Sequence, residues 1–115
     1  MTASPTVEDL TVRQGSREAI RFITRDLNGT LYEPTGFRMK ARLGSYTGAV
    51  LFSYTNADPE VTLGEGFALL ELDSTTTEPF APGDYVYDTE ARDPSSNDWT
   101  RIAEGKLCVT PNVTY

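Results

Sequence analysis

The residues with the numbers and density to do chemistry are carboxylates, of which the chain has seventeen. Their tightest group is Asp84, Asp88, Glu90 and Asp93. In an extended strand, residues i and i+2 share a face, so Asp88 and Glu90 project together. Two such carboxylates can act as an acid/base pair or offer hard oxygen ligands to Ca²⁺. The spacing matches no calcium loop, however, and no glycine stands where such a loop makes its turn. A solvated strand face that runs into a hairpin tip is the simpler expectation.

Other chemistries lack their residues. Histidine is absent and Cys108 is the single cysteine. Ser–His–Asp and Cys–His nucleophile systems and the common zinc sites are therefore excluded, as is an intrachain disulfide. The expectation is a chain that is not an enzyme and has no cofactor. Cys108 lies in an apolar stretch and reads as a small buried residue. Asn28-Gly29-Thr30 and Asn112-Val113-Thr114 fit the glycosylation sequon, and both read as coincidental.

Binding residues are more promising. Arg21, Arg25, Arg38, Lys40 and Arg42 place five of the ten basic residues within twenty-two positions. If their two segments are neighbouring strands, they form a basic stripe for an acidic partner, or they pair with acidic residues across strands. Tyr85, Tyr87 and Trp99 suggest either sugar stacking, as in a carbohydrate-binding module for host attachment, or packing across adjacent strands. Phe80, between Pro79 and Pro82 in Pro79-Phe80-Ala81-Pro82, either plugs one end of the fold or stands out as a contact; the plug is favoured.

The elements that must position these residues are strands. Phe37, Met39, Ala41 and Leu43 alternate with Arg38, Lys40 and Arg42, a period of two that separates an apolar face from a charged one. Residues 19–25 repeat the pattern, with Ile20, Phe22 and Thr24 opposite Arg21, Ile23 and Arg25. Further strands are expected around Leu10 and Val12 and over residues 49–54, 67–72, 85–91 and 99–110. Asn28-Gly29, Pro34-Thr35-Gly36, Asn56-Ala57-Asp58-Pro59, Gly64-Glu65-Gly66 and the polar tip 93–98 supply turns. One helical turn fits near residues 75–78, with Ser74 as its N-cap.

Turns at this density predict an all-β fold: an antiparallel two-sheet sandwich of about seven or eight strands with one short helical turn. The 115 residues make one domain, with residues 1–6 as an N-terminal arm and 111–115, ending at Tyr115, as a tail. Both arms are expected to be ordered by a partner through strand addition. A net charge of −7 argues against nucleic acid, and no run is apolar enough to span a membrane.

The C-terminal third carries a resemblance. Pro82-Gly83-Asp84-Tyr85-Val86-Tyr87-Asp88 leads through the polar tip to Trp99-Thr100-Arg101-Ile102. Gly105-Lys106-Leu107, Val109-Thr110-Pro111 and Val113-Thr114 follow. This resembles the closing hairpin of small bacteriophage virion β-sandwich domains of the LtfC-like type, found in tail, fibre and baseplate components. Leu27-Asn28-Gly29-Thr30, Pro34-Thr35-Gly36 and the basic strand 37–43 are similar to the turn and strand preceding it there. Asn28 replaces the family's first Asp, and Glu33-Pro34-Thr35-Gly36 is a variant of its turn. The chain is also similar to N-terminal domains of siphophage upper-baseplate proteins.

The resemblance implies a structural component of a tailed phage virion, assembled in the host bacterial cytoplasm. Its partners would be other phage structural proteins, in the tail or baseplate or as a capsid decoration (cement) protein. It would be present in many copies, and a homo-oligomer is one form this could take. The residues expected to touch partners are Arg21, Arg25, Arg38, Lys40, Arg42, Phe80 and Tyr115.

Overall fold

A computed structural model describes residues 6–112. The strands are β1 (Thr6–Val7), β2 (Leu10–Arg13), β3 (Glu18–Ile23), β4 (Gly36–Leu43), β5 (Val50–Thr55), β6 (Val61–Gly64), β7 (Phe67–Leu72), β8 (Gly83–Arg92) and β9 (Trp99–Thr110), with one helical turn, α1 (Ser74–Thr77). The large sheet has the order β1-β9-β8-β4-β5, with β2 also on β9, and the small sheet is β3-β7-β6. The all-β sandwich expected from the alternating pattern is the fold. The nine strand segments among the described residues exceed the expected count because β1 and β2 are two pieces of one edge, interrupted at Glu8 and Asp9.

One pairing departs from the antiparallel expectation: β1 and β2 run parallel to β9. The interruption between them has a packing cause. The Tyr87 hydroxyl donates to the Glu8 carbonyl at 2.6 Å, reaching it across Gly105, its register partner on β9. A Cβ on Gly105 would lie 2.2 Å from that same carbonyl oxygen, so only glycine lets the edge close there. The Glu8 N–H reaches the Glu104 carbonyl at 2.9 Å, and the Asp9 carboxylate accepts the Lys106 N–H at 3.2 Å. These bonds supply what the interrupted ladder lacks. Thr6, assigned to the arm, is thus paired with the chain's own β9. Residues 1–5 and 113–115, including Tyr115, lie outside the described residues.

The core forms because each strand buries alternate residues. From β4 come Phe37, Met39 and Ala41, from β8 Tyr85, Tyr87, Thr89 and Ala91, and from β7 Ala68, Leu70 and Leu72. Phe22 of β3 meets Phe37 of β4 at 5.9 Å between ring centres, which joins the two sheets. Each buried Leu, Met or Phe among them contributes roughly 1.5–3 kcal/mol by leaving water. Phe80 is 8% exposed and stacks on Phe52 at 5.8 Å. It is the plug, which removes it from the expected contact residues.

At the corner before β8, the Tyr85 hydroxyl donates to the Ala81 carbonyl at 2.6 Å and fixes the entry of the chain into that strand. The helical turn is one residue displaced from expectation at its cap. Asp73, not Ser74, is the N-cap, and its Oδ1 accepts the Thr76 N–H at 2.8 Å. Hydrogen bonding from the Thr76 side chain, and then from its backbone N–H, holds the Asp73 carboxyl below its usual pKa. Thr77 is buried, and its hydroxyl donates to the Ser16 carbonyl at 2.7 Å, tying α1 to the β2–β3 link.

Two inward residues of β8 should respond to substitution with opposite signs. Tyr87→Phe strands the Glu8 carbonyl, at an expected cost of about 1–3 kcal/mol in urea unfolding. Thr89 is fully buried, and its Oγ1 has no hydrogen-bond partner among the described residues. Thr89→Val removes that group at constant shape, and the unfolding midpoint should rise.

Candidate functional site

The inward residues build the core, so recognition falls to the outward ones. On the large sheet the same alternation turns Arg13, Arg38, Lys40, Arg42, Arg92, Arg101 and Lys106 outward, seven of the chain's ten basic residues. Asp84, Asp88, Glu90 and Glu104 share that face. The face is therefore positive on a chain whose net charge is −7.

The charges interlock across the strands. Arg38 Nε lies 2.8 Å from Glu90 Oε1, its register partner on β8. Arg101 bridges Asp88 at 3.5 Å and Glu104 at 3.4 Å. Arg42 donates to the Gly48 carbonyl at 3.0 Å. Lys40 is exposed and stands opposite Asp88 in register, without an ion pair among the described residues. Around these groups the sheet dips into a shallow depression of about 580 Å³, lined also by Ser53, Thr55 and Tyr46. Tyr46 is 54% exposed.

One end of this face is organised by Trp99. Arg38 lies 4.1 Å from its ring centre and Arg92 5.9 Å. Arg92 Nε also donates to the Asn97 carbonyl at 3.2 Å, tying the stack to the 93–98 tip. Gly36 makes room: a Cβ there would come within 2.7 Å of the indole. Sequence reasoning placed Trp99 at the start of the strand after the tip but missed its guanidinium partners. The available signal was Arg92 facing Trp99 across a hairpin, with an outward Arg38 on the next strand.

The expected single basic stripe is not formed. Arg21 lies on β3 in the small sheet and Arg25 follows that strand, whereas Arg38, Lys40 and Arg42 lie on β4 in the large sheet. Consecutive strands here belong to different layers, so the two sets face opposite sides of the sandwich. Arg21 covers the Phe67 ring at 4.4 Å, and Arg25 donates to the Gly29 carbonyl at 2.8 Å. Tyr85 and Tyr87 are core residues and cannot stack on a sugar. Burial, helped by the Glu8 and Asp9 carboxylates, pushes the Tyr87 phenol well above its usual pKa. Cys108, expected buried, is half-buried.

The acidic group of β8 disperses as the simpler reading expected. Asp88 and Glu90 pair with arginines, while Asp93 Oδ1 accepts the Ser95 N–H at 2.9 Å within the tip. Burial and then the nearby Asp93 and Asp26 raise the Tyr32 phenol beside that tip. No group of three Asp, Glu or Cys side chains among the described residues is placed to hold a metal ion.

No family model matches the sequence, and no curated protein matches it. Solved structures do. A chicken TCR is 18% identical, with a TM-score of 0.53, over 96% of this chain and 55% of its own; this chain thus spans about half of it. The NK cell receptor NKp44, described as a triggering partner in natural cytotoxicity, is 17% identical, with a TM-score of 0.45, over 94% of this chain and all of its own. At 18% identity the likeness to the TCR concerns the fold alone. The class is an all-β, immunoglobulin-like sandwich.

The strand orders agree with that class. The small sheet β3-β7-β6 corresponds to strands B, E and D of an immunoglobulin domain, and β9-β8-β4-β5 to G, F, C and C′. Tyr85 is the tyrosine corner of this architecture. Tyr87, two residues on, occupies the position of the second cysteine of the inter-sheet disulfide.

The single tryptophan makes the Trp99 stack measurable. Arg38→Ala should red-shift the emission as water reaches the ring, and lower stability by about 0.5–1 kcal/mol.

Proposed function

We propose that this chain is a non-enzymatic structural component of a tailed bacteriophage virion. It acts through protein–protein contacts in the tail or baseplate, or as a capsid decoration protein. The observation that carries the reading is the outer face of the large sheet, positive on an acidic chain and built on rigid strands. Such a face suits recognition of an acidic partner surface, because charge complementarity steers encounter and sets register.

The resemblance of the 82–114 segment to phage virion domains supports the same reading. Its motif residues have identifiable work in the fold. Tyr85 and Tyr87 fasten β8, and Gly105 lets the N-terminal edge approach β9. Asp88 and Lys106 of the same motifs face outward, onto the proposed docking surface.

Mass spectrometry of purified virions of the phage carrying this sequence tests the proposal. The protein should be present at a fixed number of copies per particle. A number close to that of the major capsid subunit marks a decoration protein, whereas a ring of roughly three, six or twelve marks the tail, following the closed symmetries such assemblies adopt. Absence from the particle overturns the proposal. Lys40→Gln, at an exposed position, removes a docking charge without setting a carboxylate opposite Asp88, and should leave thermal unfolding nearly unchanged while lowering incorporation.

A further inference from the structure

The open edges of the two sheets are not equally protected. Natural edge strands are blunted by charge, proline, bulges or short length, because unpaired N–H and C=O groups invite another strand. The β3 edge carries Glu18 and Arg21, the β2 edge carries Arg13, and β6 is four residues long and ends in glycine. By contrast β5 reads Val50-Leu51-Phe52-Ser53-Tyr54-Thr55, with no charge, proline or glycine. Its one irregularity is a bulge at Leu51, where Ala41 pairs with Phe52 and Arg42 with Val50.

The ladder shows which groups are open. The Asn56 N–H donates to the Phe37 carbonyl at 3.0 Å, which makes that pair hydrogen-bonded. Alternation then makes Lys40 and Ser53 a non-hydrogen-bonded pair, with the Ser53 N–H and C=O turned away from β4. The Thr55 N–H points the same way and is taken by Asp58 Oδ2 at 2.8 Å. The open stretch is therefore centred on Ser53.

We infer that β5 is a self-association edge: two copies of this chain join β5 to β5 in antiparallel fashion across a two-fold axis near Ser53, continuing the large sheet from one copy into the other. Antiparallel pairing of identical strands is isologous, so each contact is made twice. It brings the Val50 end of one copy beside the Thr55 end of the other. At the first end the Arg42 guanidinium is held on the Gly48 carbonyl, and at the second stands the Asp58 carboxylate, with Glu60 two residues further on. The charges are complementary and meet on both sides of the axis. Leu43, Tyr46 and Val50, each about half exposed, lie in the β4–β5 link or at its two ends. The inference concerns the chain's own association and does not rest on the virion reading.

Sedimentation equilibrium of the purified chain over a range of concentrations is the test. The wild type should form a dimer that weakens with added salt, since the Arg42–Asp58 pairs are screened. Ser53→Lys keeps the backbone and adds an exposed charge on the axis, so the mass should fall by half while circular dichroism and the thermal midpoint hold. Ser53→Pro removes the outward N–H and should do the same. If the proline variant fails to fold, Ser53→Lys and the wild-type Ser53 amide decide the matter: that amide should exchange slowly in the dimer and fast after dilution to monomer. Arg42→Asp should weaken the dimer, and the double variant Arg42→Asp with Asp58→Arg should restore it. A wild type that stays monomeric overturns the inference. So does a dimer that persists in Ser53→Lys, which places the interface elsewhere.

Discussion

The fold depends on how β8 is fastened, and the Tyr87 hydroxyl bond to the Glu8 carbonyl is its central tie. It spans β9 and reaches an edge 79 residues away in sequence, so the ladder of one strand pair cannot replace it. In antibody domains a disulfide occupies this part of the core. Here a phenol that is fully buried takes the position, giving a hydrogen bond and a large apolar ring in place of a covalent link. The ring fills the interior between the sheets, and its hydroxyl pins the parallel N-terminal edge. Tyr85 secures the start of the same strand, and Phe22 against Phe37 joins the layers.

That fastening explains how charge is displayed. With the inner row of β8 packed, its outer row has to carry Asp84, Asp88, Glu90 and Arg92. The outer row of β4 supplies Arg38, Lys40 and Arg42 beside it. Opposite charges then face each other one strand apart, with Trp99 and Arg101 completing the surface from β9. Most of these side chains are spread across three strands at ladder spacing, so the face is flat and has a shallow depression. The same construction leaves β5 without a partner on its far side, because the next strand, β6, crosses to the other sheet.

Much of this was legible along the chain. The alternation in residues 37–43 and 19–25 identified strands and told inward from outward residues, including the exposed Ile23; the exception is Leu43, in the apolar row but half exposed where β4 ends. Asn28-Gly29 and the 93–98 tip marked turns because their residues tolerate the required backbone angles; Gly29 and Asn97 do sit at positive φ. The single basic stripe does not form, for a definite reason. A period of two says which side of a strand a residue occupies, but not which sheet the strand joins. Arg21 and Arg38 have the same pattern and lie in different layers.

The sequence by itself therefore determined the all-β class, most of the strand positions and the inward rows of β3 and β4, and it holds no histidine and a single cysteine. Each of these follows from local composition and from a period that neighbouring residues impose. Only the tertiary structure decided that Thr6–Val7 and Leu10–Arg13 run parallel along β9, that Phe80 stacks on Phe52, and that Arg38 and Arg92 flank Trp99. These are contacts between residues far apart in the chain. Their partners are chosen by which strands meet and in what register, a competition among packings that no local pattern encodes.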